Sequence, residues 1–266
     1  MTVGAGSFVS PRFDIADDVE IGANAQLTGS GRIGSGVRIG HGVVIEGEVS
    51  IGAGSSIGHH VLLMGRVTMG EGNEIGHGTT IGGGPDNPDH LHSDGAIEIG
   101  SRNVFRELCT VNMPTTEALT RIGSDNYFMR GVHIAHDCLI GNHTKLAIGT
   151  TLGGHVEIGD YAYLGLSAAV HQRRHIGAHC MVGMTSAVVK HLPPFATLVG
   201  TKFTKINAVG LRRRGFSDAA IEAIETEYGF RPPQDIPQAE AAASLAEIRR
   251  FLSSHEPLVT YPRHSQ

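Results

Sequence analysis

A bulky aliphatic or aromatic residue returns at every sixth position through most of residues 9–188. One run goes from Val9, Ile15, Ile21 and Leu27 to Ile81, a second holds Ile99, Phe105 and Val111, and a third passes from Ile122 through Ile134, Leu152 and Val170 to Val188. A period of six fits neither the 3.6 of an α-helix nor the 2 of a simple strand. It fits a coiled solenoid whose short flat faces each turn one large side chain inward. Four places after each aliphatic comes a small or branched residue, among them Ala25, Val37, Val43, Ser55 and Thr79, which predicts a second inward position per hexad. Three hexads then close one coil. Gly often follows the aliphatic directly, as in Ile21-Gly22 and Ile140-Gly141, and this pattern assigns it to the tight corner, where a residue without Cβ adopts angles that others avoid. The expected fold class is an all-β solenoid, a parallel β-helix of hexapeptide repeats over 1–190, with a C-terminal α-helical domain over 191–266.

The repeat breaks in two places, and each break predicts a loop. Ile81 and Ile99 are eighteen apart with Gly82–Asp94 between them, which reads as an external loop one coil long, while Val111 and Ile122 are eleven apart, five more than a hexad. Loops leaving a rigid rod are where binding residues concentrate. After Val188 the hexads stop. Ser217 is a good helix N-cap before Ile221, Ile224 and Tyr228, and Leu245, Ile248 and Leu252 have helical spacing. These helices are expected to cover the open edge of the last coil.

Charge divides the chain unevenly. Residues 1–100 hold 4 Lys/Arg against 12 Asp/Glu, and residues 101–266 hold 17 against 14. Only the second part suits acidic partners, and neither suggests nucleic acid. The N-terminus lacks the pattern of a secretory signal and no apolar stretch has the length of a membrane span, so a cytoplasmic protein without membrane insertion is expected. Cys109, Cys138 and Cys180 each fall four places after a repeat residue, at the small inward position. That argues against disulfides and a Cys-based metal site.

The 16 histidines carry the chemistry. Eighteen residues raise the chain one coil, about 4.8 Å, so His136 stands below Gly154 and His155, which stand below His171 and Gln172. One coil down, after allowing for the five-residue bulge, is Met113 beside Asn112. Asn112, His136, Gly154, His155, His171 and Gln172 are therefore expected along one groove. In His133-Ile-Ala-His136-Asp137 a carboxylate follows the second imidazole, the usual device for fixing a His tautomer. His59, His60, His77 and His179 read as solvated surface. His171, His175 and His179, spaced by four, offer a metal-site alternative of the carbonic-anhydrase-like kind, but residues four apart on a solenoid point to different faces.

The segments His133–Gly141, Gly154-His155-Val156, Ala169–Gln172, Ile176–His179 and Gly210–Ser217 resemble the acyl-carrier-protein:UDP-N-acetylglucosamine O-acyltransferases. The likeness implies a homotrimer of left-handed β-helices with active sites between neighbouring subunits. It further implies that His136 is the general base, that Asp137 orients it, and that the Gly154 amide stabilises the oxyanion. On the same basis Asn112, His133, His155, His171 and Gln172 contact acceptor or acyl chain, and Asn207, Arg213 and Arg214 the nucleotide. Met184 stands where longer-chain members have Gly, which implies a medium-length acyl chain. Acyl carrier protein is the implied donor, suited to the basic residues between Arg173 and Arg214. The implied chemistry requires no metal and no bound cofactor.

The chain departs from the family pattern in its acceptor loop. Pro85-Asp86-Asn87-Pro88-Asp89 replaces a Pro-Gln-Asp-Leu-Lys run, Asn112 replaces a His, and Val209 a Glu. Acylation of a hydroxyl or amine outside lipid A synthesis, on a different nucleotide sugar or small molecule, is therefore one competing reading, and a non-catalytic relative is another.

Overall fold

The computed structural model describes residues 1–86, 89, 94–230 and 238–255; Asn87 of the acceptor loop lies outside them. The chain winds as a parallel β-solenoid. Its rungs pair in register, with Ile134 on Leu152 and Leu152 on Val170. One face is a 12-stranded sheet. The other two are joined where the eight-residue strands Val44–Ile51 and Leu62–Met69 run round a corner, bending at Gly47 and Gly65, whose φ values of 98° and 73° favour glycine.

The core is the predicted one. From Ile21 on, the large hexad residues are almost fully buried inside the coil, and Ala25, Val37, Val43, Ser55 and Thr79 beside them are 0% exposed. Cys109, Cys138 and Cys180 are free, buried thiols at the same position. At one corner of the middle coils that inner column is polar. Asn73, Asn103, Asn126 and Thr144 stack one above another, and each side-chain Oδ1 of the three Asn accepts the backbone N–H of the next residue up, at 2.7–3.0 Å. Buried polar groups are tolerated there because each has a partner.

The corner geometry corrects one expectation. The left-handed backbone falls three places after the aliphatic, not one. Asp137, His155 and Arg173 sit there with φ of 58–60°. The Gly directly after the aliphatic is required for a different reason, because the next coil passes too close for a side chain. A Cβ on Gly22 would lie 2.7 Å from the Gly40 carbonyl carbon, and one on Gly159 would lie 2.5 Å from the Ala178 nitrogen.

The two breaks are loops, but the first is shorter than a coil. Leu63 pairs with Ile81, eighteen residues on, whereas Ile81 pairs with Val111, thirty residues on. The insertion is thus twelve residues. The second break adds five, since Val111 pairs with Ile134.

At the far end, Ala196–Val199 continues the large sheet in parallel beside Met181–Val182, and Lys202–Ile206 returns antiparallel along it. A β-hairpin, not a helix, therefore closes that sheet's edge. Helices α1 (Ala208–Arg213), α2 (Asp218–Glu227) and α3 (Gln238–Ser254) follow. Ser217 caps α2 by accepting the Ala220 N–H at 3.1 Å, and Ala220, Ile221, Ala223 and Ile224 are its buried residues. The phenol of Tyr228 donates to the Pro194 carbonyl at 3.0 Å, tying α2 to the last coil.

Candidate active site

The five-residue bulge builds the site. Its residues Thr115–Glu117 curl over the corner that carries Asp137, and their groups converge on that carboxylate. The Thr115 and Glu117 amides both donate to Asp137 Oδ1 at 3.0 Å, and the Thr115 hydroxyl donates to Oδ2 at 2.6 Å. From below, the Asp137 amide donates to Thr120 Oγ1 at 3.0 Å. Asp137 is only 3% exposed. Burial opposes its ionisation, but the hydrogen bonds from Thr115, His136 and the Glu117 amide outweigh it and hold the carboxyl below the ordinary carboxylate value.

His136 Nδ1 lies 2.7 Å from Asp137 Oδ2. An ionised carboxylate only accepts, so the ring's Nδ1 carries the proton and Nε2 keeps its lone pair. The ring lies over the next coil at Gly154, where a Cβ would be 2.3 Å from His136 Cε1 and 2.6 Å from Nε2. Only glycine leaves that space. At the same hexad position in several other coils, a side chain from the next coil takes the corner amide: the His41 N–H donates to His59 Nδ1 and the Asn142 N–H to Asp160 Oδ1. At Gly154 the residue one coil up is the exposed Gln172, and among the described residues no acceptor takes the Gly154 N–H. A basic ring nitrogen and an amide with no acceptor thus share one corner.

The other groove residues are arranged around this pair. His155 lies edge-on to His136, with ring centroids 5.3 Å apart, and its Nε2 is 3.3 Å from Asp137 Oδ2. Burial, with the Arg173 and His136 charges, keeps the His155 ring below its usual value against the pull of Asp137 and Glu117. His133 bonds to Thr110 Oγ1 at 2.8 Å, and burial lowers its value while Asp86 opposes the shift. Asn112 donates to Asp86 Oδ2 at 3.0 Å, which brings the first loop onto the groove. His171 and Gln172 are exposed on the coil above.

The second group of predicted residues is not brought to His136 within one chain. Asn207, Arg213 and Arg214 line a separate cavity of about 910 Å³ with Lys145, Tyr163 and Lys205, and no residue of the His136 cluster lines it. Asn207 and Arg214 also have structural partners. Asn207 caps α1 through the Gly210 N–H and donates to the His179 carbonyl. Arg214 donates to the carbonyls of Tyr161 and Gly210 and lies over the Tyr161 ring. Met184 is 66% exposed at its corner.

The three-His metal alternative does not hold. His179 stacks between Tyr161 and Phe195, and His175 bonds to His255 at 2.9 Å. His59, His77 and His179 are also not plain solvated surface. His41, His59 and His77 stack in a ladder with centroids 4.8–4.9 Å apart. What the sequence reading missed at the site is the cradle from Thr115 to Glu117, together with Thr110 and Thr120, and the contacts of Asp86 with Asn112 and of Arg173 with His155. The available signal was the five-residue excess in the hexad count, which marked the loop but not its contacts.

Fold and site together define a hexapeptide-repeat solenoid with a carboxylate-backed histidine set over a glycine corner. Comparison with known proteins sharpens that class. Residues 192–259 match the family described as UDP-N-acetylglucosamine O-acyltransferase, domain 2. The acyl-[acyl-carrier-protein]–UDP-N-acetylglucosamine O-acyltransferase of Herminiimonas arsenicoxydans is 42% identical over 170 residues, 62% of this chain and 65% of that protein. The Burkholderia lata protein of the same name is 40% identical over 173 residues, 64% of this chain and 66% of that protein. The matches thus span just under two thirds of these relatives' lengths. The solved LpxA of Acinetobacter baumannii superposes with a TM-score of 0.77 at 26% identity, covering 98% of this chain and 100% of that one. The chain is thus similar, in its C-terminal segment, over most of its length and in its fold, to UDP-N-acetylglucosamine O-acyltransferases (LpxA).

Proposed function

We propose that the protein transfers an acyl chain, medium in length and 3-hydroxylated or plain, from acyl carrier protein to a hydroxyl of UDP-N-acetylglucosamine. The observation that carries this reading is the His136 Nδ1–Asp137 contact of 2.7 Å with the ring laid against Gly154. A sugar hydroxyl is a weak nucleophile at neutral pH. His136 Nε2 takes its proton as the oxygen attacks the thioester carbon, and the resulting imidazolium is stabilised by the buried Asp137. Such general-base catalysis supplies roughly 10²- to 10⁴-fold. The carbonyl oxygen turns anionic, and the Gly154 N–H donates to it. When the tetrahedral intermediate collapses, the C–S bond breaks and His136 returns the proton to the leaving thiolate.

In this reading His133, His155, His171, Gln172 and Asn112 bind acceptor or acyl chain, and Met184 limits the chain's length. Asn207, Arg213 and Arg214 with Lys145 and Lys205 meet the nucleotide phosphates from a neighbouring protomer of a homotrimer, which is how the separate cavity reaches the base. The basic segment from Arg173 to Arg214 receives acyl carrier protein, and the compartment is the cytoplasm. Among the described residues no helix is long and apolar enough to cross a membrane.

One observation favours a second reading. Asp86 brings a carboxylate to Asn112 and within 3.9 Å of His133, where it can pair with a hydroxyl or amino group that N-acetylglucosamine does not offer, so a different nucleotide sugar is the alternative. A panel of UDP-sugars assayed with acyl-[acyl carrier protein] tests both. UDP-N-acetylglucosamine as the best acceptor supports the first reading, a clear preference for another sugar supports the second, and no transfer to any of them contradicts acyl transfer to nucleotide sugars.

A further inference from the structure

Three groups around the base have more order than a His–Asp pair needs. Asp137 Oδ2 is approached by His136 Nδ1 at 2.7 Å and by His155 Nε2 at 3.3 Å, and one ligand atom from each residue lies within 4.8 Å of the other two. Zinc bound to imidazole nitrogen and carboxylate oxygen at about 2.0–2.2 Å places its ligand atoms roughly 3.3–3.6 Å apart in a tetrahedron, so small shifts bring these three onto one ion. Thr115 Oγ1, 2.6 Å from Asp137 Oδ2 and 3.2 Å from His136 Nδ1, borders the same point. The side chains are held in place already, with Asp137 buried and both rings only 11–13% exposed. Among the described residues this is the one His/Cys/Asp/Glu cluster with such spacing. Two groups compete for His155 Nε2. The exposed Arg173 guanidinium, 3.4 Å away, would swing into solvent, and Thr116 Oγ1 at 3.5 Å is a weak contact.

We propose that His136, Asp137 and His155 form an inhibitory site for a divalent transition metal, best matched by Zn²⁺, whose occupation disables the general base. The ion takes the place of the proton on His136 Nδ1, and that proton is relocated to Nε2 by exchange with solvent, so the ring stays neutral. A neutral imidazole with a metal on Nδ1 carries its one proton on Nε2, so the lone pair that would accept the acceptor's proton is gone. His155, whose imidazole the base does not need for its orientation, supplies the third ligand.

The test uses the full-length protein freed of metal by chelation. Zn²⁺ is titrated calorimetrically, and Co²⁺ is added as a spectroscopic substitute. We expect one Zn²⁺ per chain, visible Co²⁺ absorption of low-coordinate N/O type, binding weakened at least ~10-fold in His155→Gln, and unchanged binding in His255→Ala, which disrupts the unrelated His175–His255 contact. Removal of even an outer-shell partner of a metal ligand costs about 10- to 100-fold. Absence of stoichiometric binding, or equal binding by His155→Gln, would overturn the site. The inhibition half rests on the acyl-transfer reading, and Zn²⁺ binding without loss of transfer would overturn that half alone. Failure of the acyl-transfer reading itself would appear separately, as a metal-free protein with no transfer.

Discussion

Two corners of this solenoid use histidine at the same place in the hexad and to opposite ends. In the N-terminal coils, His41, His59 and His77 each turn back along the rod. Their Nδ1 atoms accept the corner amides of Ala23, His41 and His59 at 2.8 Å, and their rings stack. Those three corner amides are satisfied, and each ring accepts at Nδ1, so a neutral ring carries its proton on Nε2, away from any use as a base. At His136 the logic is reversed. The ring is drawn by Asp137 so that Nδ1 donates, and the next corner up has Gly154 instead of a capping side chain. One arrangement closes the backbone's hydrogen bonds, and the other leaves a basic nitrogen and an amide donor open to a reactant. The difference lies in the acid after the histidine, the glycine above it and, one coil further up, Gln172, which does not cap the Gly154 amide.

Substitutions at these positions should separate the two corners. The largest effect is expected from Asp137→Asn. Two backbone amides point at Oδ1, so the new carboxamide must put its carbonyl there and its NH₂ toward His136. Nδ1 would then have to accept, Nε2 would be protonated, and the base would be blocked. A loss of about 10³- to 10⁴-fold in turnover follows, as for a wrong-tautomer imidazole, read as kcat on acyl-[acyl carrier protein]. Gly154→Ala should cost about 10²-fold, the scale of an ångström misplacement of a reacting group, because the methyl would displace the ring. A circular dichroism spectrum unchanged from wild type would show that the coil survives.

Met184→Gly should change chain selection more than rate, moving the optimum to longer acyl chains in a donor panel; an unmoved optimum contradicts its role as a stop. The smallest catalytic effect belongs to the ladder. His59→Ala should leave turnover unchanged and lower the melting temperature slightly. In the wild type, burial and the neighbouring His77 and His41 hold His59 below the ordinary imidazole value. The folded state therefore resists protonation. The ladder's contribution is present above the unfolded imidazole value and is lost as pH falls through the lowered one, so melting curves of wild type and His59→Ala should converge toward acid pH.

Much of this was legible beforehand, for a physical reason. A period of six with two inward positions fixes the stacking, so Ile134, Leu152 and Val170 place His136 beneath Gly154 without coordinates. The count also located the bulge after Val111. It could not reveal that Thr115 and Glu117 fold back onto Asp137, because residues in a loop no longer share the repeat's phase. The histidine ladder was missed because its position in the hexad faces solvent, and its purpose appears only when the direction of the corner N–H is known. The glycine after each aliphatic was placed correctly but explained wrongly. The constraint there is the backbone of the next coil, a contact between residues eighteen apart, not the local angle.

The central claim is that His136 removes the acceptor's proton. The direct measurement is transfer from acyl-[acyl carrier protein] to UDP-N-acetylglucosamine by wild type and His136→Ala, side by side, with matching melting temperatures. The account predicts an acylated nucleotide sugar from the wild type and a rate lower by about 10²- to 10⁴-fold in the variant. Rates equal within twofold would contradict it.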